Sequence, residues 1–377
     1  MSDLSNLIEQ WNITSFLPEV RAEGAGLCYQ GFLYYLGGKS GSGIKDTVYF
    51  SFIKADGSLE PWKTTAPLKY ARTDGKVAVH NNFIYWTGGW NGMIKVEILV
   101  GNINSNGTIS SWRTTHNMPA RLHDHEAVIA GGYMYIIGGW DETFVKHSNK
   151  VFYSRILSDG SLEPFYRASN LLTARQHHAS VFYNGYIYTI GGLDKNNNYL
   201  NSVEYAEVKS DGSLSSWKQT SSLPVGRVNF PAVAVGNRIF TIGGRSAQEN
   251  DKRCYQTLIK GDGSLEAWVE DGNINQAKKD FIAGFSQGYI YEAGGDPYTK
   301  AVHYSLLVGV NDDEEEKEEE ETQGEGTSGG GSSGSFYNKE EEAEEAENEE
   351  EEEKKEKMLK GKIKKINLFR RSFKFLA

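Results

Sequence analysis

A pair of glycines returns at an almost fixed interval through most of this 377-residue chain. Each pair closes an apolar, aromatic run: FLYYLGG, FIYWTGG, YMYIIGG, YIYTIGG, RIFTIGG and YIYEAGG. The first glycines are Gly37, Gly88, Gly138, Gly191, Gly243 and Gly294, separated by 51, 50, 53, 52 and 51 residues. A second series keeps step with the first: DGSLEPW from Asp56, NGTISSW from Asn106, DGSLEPF from Asp159, DGSLSSW from Asp211 and DGSLEAW from Asp262. Two locked series of one period mean stacked units, none of which can bury its apolar face alone.

Within one unit the periodicity is that of strands. Around Gly191, HHASVFYN and GYIYTI read as two short β-runs, SVEYAEV as a third and SLSSWKQT as a fourth. Asp211-Gly212 reads as a two-residue hairpin turn in which both residues take positive φ. The glycine pair is expected where the backbone crowds a central channel and a Cβ does not fit. Four antiparallel strands per ~50 residues is the pattern of a propeller blade. Six glycine pairs give an all-β, six-bladed propeller over residues 8–310. The sixth unit lacks the hairpin and runs out at AVHYSLLVGV, whereas NLIEQWNITSFLP near the N-terminus places Trp11 in the tryptophan position. The N-terminal strand is therefore expected to close the ring, which also protects the sheet edges.

These marks resemble the kelch-repeat β-propellers: a double glycine after an aromatic-apolar strand, a following tyrosine (Tyr49, Tyr153, Tyr205, Tyr304) and a tryptophan closing the unit. The likeness runs over about residues 8 to 310. The DGSL hairpin looks like a feature of microbial kelch proteins, and VEILVGNI in the second unit departs from the pattern by lacking the tyrosine.

Alignment on the glycine pairs exposes a basic column sixteen residues upstream: Arg21, Arg72, Arg175, Arg227 and Lys278, with Leu122 in the third unit and Arg121 displaced by one. Two positions on come Glu23, Asp74, Asp124, His177, Asn229 and Asp280, followed by Gly24, Gly75, His125, His178, Phe230 and Phe281. RLHDHEA, residues 121–127, is thus the third copy of a repeated loop. The resemblance implies that these loops, and those after the glycine pairs bearing Trp90 and Trp140, surround one channel mouth.

Two readings of that mouth follow. In one, the arginines and aspartates pair with each other and with the next blade, as a polar channel lining must. In the other, units two to four form a wet, charged, aromatic-flanked sector opposite an apolar one carrying Phe230 and Phe281. Arg72, Asp74, Trp90, Arg121, Trp140, Arg175 and Arg227 are then the ligand-binding residues. Forked guanidinium donors suit carboxylate or phosphate, and tryptophan faces suit sugars or cations. A non-enzymatic binding or scaffold module for a protein partner or acidic peptide is the leading function, with an anionic sugar as another ligand class. The alternative is a carbohydrate-active propeller similar to the sialic acid mutarotases. It would draw general acid and base from His123, Asp124, His125, His177 and His178 in the third and fourth units. HxH with a distant HH does not make a zinc site, so neither metal nor cofactor is expected.

Composition separates the C-terminal part. Residues 1 to 310 carry 28 basic and 28 acidic residues, so the net charge of −10 lies in the remainder. Residues 311–353 hold 21 acidic residues and two lysines around TSGGGSSGS, a composition expected to stay disordered. Residues 354–377 hold ten basic residues and one acidic. Leu359, Ile363, Ile366, Phe369, Phe373 and Leu376 give this segment a helical apolar stripe. A basic amphipathic helix of this kind suits an anionic membrane surface or a calmodulin-like groove. No nucleic-acid partner is expected, because the acidic neighbour repels phosphate. MSDLSNLIEQW has no secretory pattern, and only Cys28 and Cys254 occur, so a reducing, cytoplasmic setting is expected.

Overall fold

A computed structural model describes residues 7–309. The acidic stretch 311–353 and the basic segment 354–377, with the membrane and calmodulin-like partners suggested for it, lie outside the described residues. Among the described residues all regular structure is β, in six four-stranded antiparallel sheets and two smaller ribbons. The first sheet consists of Ala25–Tyr29, Phe32–Leu36, Val48–Phe52 and Lys63–Thr65, in sequence order. The next four sheets repeat that order. In the last, Ile282–Ser286, Tyr289–Ala293 and Val302–Leu306 are joined by Asn12–Ile13. Asn12 lies opposite Tyr304 and Ile13 opposite His303. Just upstream, the Leu7 and Ile8 amides donate to the Asp271 carboxylate at 2.7 and 3.3 Å.

The first strand of each sheet packs against the first strands of its two neighbours, and that of the sixth against that of the first. The second strands are covered on both faces. Leu33–Leu36 and Ile187–Ile190 are buried at four consecutive positions, so these strands read as continuous apolar runs without alternation. Their side chains form clusters that span adjacent sheets. One joins Leu36, Val48 and Leu68 of the first sheet to Ile84, Trp86 and Leu99 of the second.

The DGSL hairpins have a specific job in this stacking. At residues 209–213, Gly212 alone is left-handed, with φ 78°, and Asp211 keeps an ordinary backbone. The two-residue turn with two positive φ values is therefore replaced by a wider one. In it the Asp211 carboxylate accepts the Ser213 amide at 2.9 Å. The glycine carbonyl then accepts a buried tyrosine hydroxyl from the preceding sheet. Tyr34 donates to Gly107, Tyr85 to Gly160, Tyr135 to Gly212, Tyr188 to Gly263 and Tyr291 to Gly57, all at 2.8–2.9 Å. A Cβ on these glycines would also strike the aromatic ring two residues before the tyrosine, as Tyr289 lies 2.5 Å from a Cβ built at Gly57. The fifth sheet carries Phe240 in the tyrosine position, and the sixth sheet is the one without a hairpin to receive a hydroxyl. Tyr188→Phe is expected to cost about 1 kcal/mol, the net worth of one hydrogen bond whose acceptor is left dry. Urea unfolding of this variant, with Phe240→Tyr showing no matching gain, checks the assignment.

The glycine pairs also serve the joints between sheets. Both residues of each pair have positive φ. A Cβ at Gly37 would meet the Arg72 carbonyl at 2.8 Å, and one at Gly294 the Arg21 carbonyl at 2.6 Å. The crowding thus comes from the next sheet's entry loop, and the expected crowding by the channel is corrected. The second glycine donates its N–H to that same carbonyl: Gly38 to Arg72, Gly139 to Arg175, Gly192 to Arg227, Gly244 to Lys278 and Gly295 to Arg21, at 2.7–2.9 Å.

Candidate functional site

Each entry loop bridges the residue after its own sheet's glycine pair: Ala22 with Lys39, Thr73 with Trp90, His123 with Trp140, Gln176 with Leu193, Val228 with Arg245 and Lys279 with Asp296. Both families of loops therefore lie at one end of the molecule. Glu23, Asp74, Asp124, His177, Asn229 and Asp280 are all left-handed, with φ between 52° and 57°. Asp, Asn and His are among the side chains that tolerate this conformation best. A chain of backbone hydrogen bonds offsets the strain: Glu23 donates to Asp280, Asp74 to Glu23, His177 to Asp124, Asn229 to His177 and Asp280 to Asn229, at 3.0–3.1 Å. The six residues form a collar between an outer vestibule of about 540 Å³ and an inner channel of about 500 Å³. Among the described residues the seam between the second and third sheets has neither the collar bond nor the glycine bond. It is spanned by side chains: Lys76 Nζ to Glu126 Oε1 at 2.7 Å, and Thr87 Oγ1 with His125 Nε2 at 2.9 Å.

The basic column points away from this space. Arg72, Arg175 and Arg227 have no exposed surface. Each donates Nη1 to the first glycine carbonyl of its own sheet: Arg72 to Gly88 at 3.1 Å, Arg175 to Gly191 and Arg227 to Gly243 at 2.8 Å. Arg175 also pairs with fully buried Glu204, and Arg227 lies over the Tyr255 ring at 4.6 Å. The expectation that these three guanidinium groups meet a ligand is corrected: they are fully buried and turned onto the glycine carbonyls of their own sheets. Arg121, displaced from the column, is about half exposed and pairs with Glu142, and buried Leu122 takes the structural place.

The histidines divide in the same way. His125 and His178 are wedges between sheets, in the place that buried Phe230 and Phe281 fill farther round. Burial pushes the His125 imidazole down to about 3, and Lys76 adds to this. Burial, then the Arg175 charge, holds His178 well below the ordinary histidine range. Both shifts favour the neutral imidazole, so neither ring is suited to act as a general acid. Nor do Phe230 and Phe281 form an exposed apolar sector. What converges is His123, Asp124 and His177: His123 Nδ1 lies 2.5 Å from Asp124 Oδ2, and His177 Nδ1 lies 3.3 Å from Asp124 Oδ1. Burial would lower both imidazoles, but the Asp124 carboxylate more than compensates and raises them. Burial would raise Asp124, but His177 and His123 hold it well below the usual carboxylate range. With one nitrogen of each ring committed to one carboxylate, this trio braces the third and fourth sheets. Among the described residues no group of three or more His, Cys, Asp and Glu side chains is arranged to hold a metal ion.

The vestibule consequently presents carboxylates where guanidinium groups were expected. Asp280 is paired with Lys279 and accepts from Asn229 Nδ2, whereas Asp74 accepts from the Thr73 hydroxyl at 2.6 Å and, among the described residues, forms no ion pair. Burial, reinforced by Asp124, Glu23 and Asp280, pushes Asp74 up to about 7. Burial also raises Glu23. Trp90 lines the same vestibule with 44% of its surface exposed, whereas Trp140 is partly buried and sits edge-on to His147 at 5.1 Å. Sequence reasoning placed Glu23 in the mouth loops but left it out of the ligand-binding residues. The acidic column was in view, but the arginine column drew the functional argument.

The fold and its single crowded end define an all-β, propeller-like protein whose loops meet at one mouth. The chain is similar over residues 174–205 to the Kelch motif. It is 27% identical over 154 residues to alpha-scruin of Limulus polyphemus, covering 39% of this chain and 16% of that protein. It is 33% identical over 87 residues to Kelch-like protein 38 of Homo sapiens, covering 23% and 14%. The chain thus matches about a sixth or less of the length of these curated relatives. The structure of YjhT superposes with a TM-score of 0.62 and 15% identity, covering 80% of this chain and 99% of that one, a likeness of fold. The chain is thus similar to kelch-repeat proteins, through the motif at residues 174–205 and through these relatives. The sugar-isomerase alternative is not favoured, because two of its four histidines are buried between sheets.

Proposed function

We propose that residues 8–310 form a six-bladed propeller, closed by the N-terminal strand, that works as a non-enzymatic module binding a protein partner at the collar end. The observation that carries this reading is the asymmetry of the two ends. At the hairpin end, the turn carbonyls are tied to tyrosines of the neighbouring sheet. At the collar end, six sheets converge on one open vestibule, and Tyr70, Trp90, Met93, Phe144 and Val145 are exposed on the surrounding loops. Exposed aromatic and methionine side chains next to a concave polar centre are characteristic of an interface. The likeness to kelch-repeat proteins supports a module of this kind.

The test compares two full-length variants. In Trp90→Ser/Met93→Ser/Phe144→Ser the collar end loses its apolar surface, and in Leu157→Ser/Tyr166→Ser the hairpin end does. Proteins retained by the wild type from a lysate are expected to be lost from the first variant and kept by the second. Retention by both, or loss from the second alone, would remove the collar end as the binding face.

A further inference from the structure

The vestibule has a charge pattern that selects among partners. Four of the six collar residues are carboxylates, and two of these are internally neutralised: Asp124 by His123 and His177, Asp280 by Lys279 and Asn229. Glu23 and Asp74 are adjacent in the collar, linked by the Asp74 amide and the Glu23 carbonyl at 3.0 Å, and among the described residues neither forms an ion pair. Trp90 opens onto the same space. Around it, Tyr70, Met93 and Phe144 are 45–58% exposed on loops of the second and third sheets. Tyr70, Trp90 and Met93 lie within the two loops of the second sheet that flank Asp74, whereas the Phe144 ring is already faced by Lys146 and Lys150.

We propose that the collar end docks a protein segment bearing a lysine or arginine, whose cation enters the vestibule against Glu23 and Asp74 beneath the Trp90 ring. Apolar residues flanking the cation would cover Tyr70 and Met93. The inference rests on the binding-module reading above and adds the chemistry of the partner. An acidic segment is disfavoured at this half of the collar, since it would bring a further negative charge against Glu23 and Asp74; Lys39 and Lys279 offset the Glu23 charge only from a distance. A purely apolar segment would desolvate Glu23 and Asp74 and return nothing. A cation satisfies both carboxylates, and the indole face adds to its attraction.

The experiment uses the full-length protein as target for a random dodecapeptide library displayed on phage. The Glu23→Gln/Asp74→Asn and Trp90→Ala proteins serve as counter-targets, each checked by thermal melting. Removal of the uncompensated Asp74 charge is expected to leave the fold at least as stable, so lost binding reports on the site. Peptides recovered on the wild type are expected to contain Lys or Arg beside apolar residues. One such peptide, synthesised, is expected to bind the Glu23→Gln/Asp74→Asn protein about tenfold more weakly, in line with removal of one side of a partly buried charge pair. Mouth-dependent peptides without Lys or Arg would overturn the basic-partner inference and leave the binding-module reading in place. Basic peptides held equally by wild type and variants would be ligands of the acidic segment 311–353. That outcome, like the absence of any mouth-dependent peptide, would overturn both.

Discussion

Arg175→Ala is expected to destabilise the protein by about 3–5 kcal/mol, the usual cost of removing one partner of a buried charge pair. Arg175 and Glu204 are both fully buried, and the arginine also donates to the Gly191 and Ser202 carbonyls, at 2.8 and 3.1 Å. After truncation the Glu204 carboxylate keeps only the amides of Leu172 and Thr173, at 2.7 and 3.0 Å. For a chain of this size the loss corresponds to a drop in Tm of roughly 6–10 °C. Arg175→Lys should recover much of it. Lys278 fills the equivalent place in the sixth sheet, donating to the Gly294 carbonyl at 2.8 Å and pairing with Glu292. Arg121→Ala is the contrasting case. Its exposed pair with Glu142 is of a kind worth ~0–1 kcal/mol. Calorimetry of the three variants decides the matter: equal Tm for Arg175→Ala and wild type would return the buried column to the list of ligand-binding groups.

Asp74→Asn is expected to stabilise the protein at pH 8 by about 1–3 kcal/mol, a discounted share of its upward shift. The sign follows from the raised carboxyl. Below its unfolded value of 3.8, Asp74 is protonated in both states and contributes no difference. As pH rises from 3.8 through about 7, the unfolded chain ionises first and stability falls. His123 and His177, raised above 6.5, act in the same direction: their stabilisation is complete below 6.5 and is lost as pH rises through the folded values. Asp124 acts oppositely, giving up stability only as pH falls below 3.8 towards its depressed folded value. Other charges bear on the collar from neighbouring strands and loops, chiefly Lys76, Glu126, Glu23, Lys279 and Asp280. From these groups, wild-type stability should therefore decline from just above pH 3.8 towards pH 8, with a shallower decline in Asp74→Asn. Urea melts at pH 5, 6.5 and 8 test this, and parallel curves for the two proteins would contradict the isolation of Asp74.

Repeat length, strand content and the glycine pairs could be read from the sequence because each is a local requirement repeated along the chain. Side-chain direction could not. Arg175 and Asp124 lie within comparable loops, and nothing in a single copy says that the first turns into its own sheet and the second into the mouth. Their difference depends on the carbonyl of Gly191, sixteen residues on, and on the left-handed backbone of the collar. His125 and His178 were misleading for a related reason. They alternate with Gly24, Gly75, Phe230 and Phe281, a column set by packing volume: Tyr35 and Trp86 occupy the space where the glycines leave room. Composition of the column, weighed as volume instead of chemistry, carried that information. Phe240 is the clearest legible signal that went unused. The one sheet whose tyrosine lacks a hydroxyl precedes the one sheet without a hairpin.

The unequal seams give the ring a mechanical character. Tension around a hoop is the same at every joint, so a hoop yields where its joint is weakest. Five joints here are fastened by main-chain bonds that no change of pH titrates. The joint between the second and third sheets is fastened by an ion pair and a threonine–histidine contact, both dependent on side-chain identity and on the surrounding charge. It is flanked by Trp90 on one side and by Asp124 on the other. The one joint without these main-chain bonds among the described residues thus coincides with the stretch of the mouth that carries Trp90.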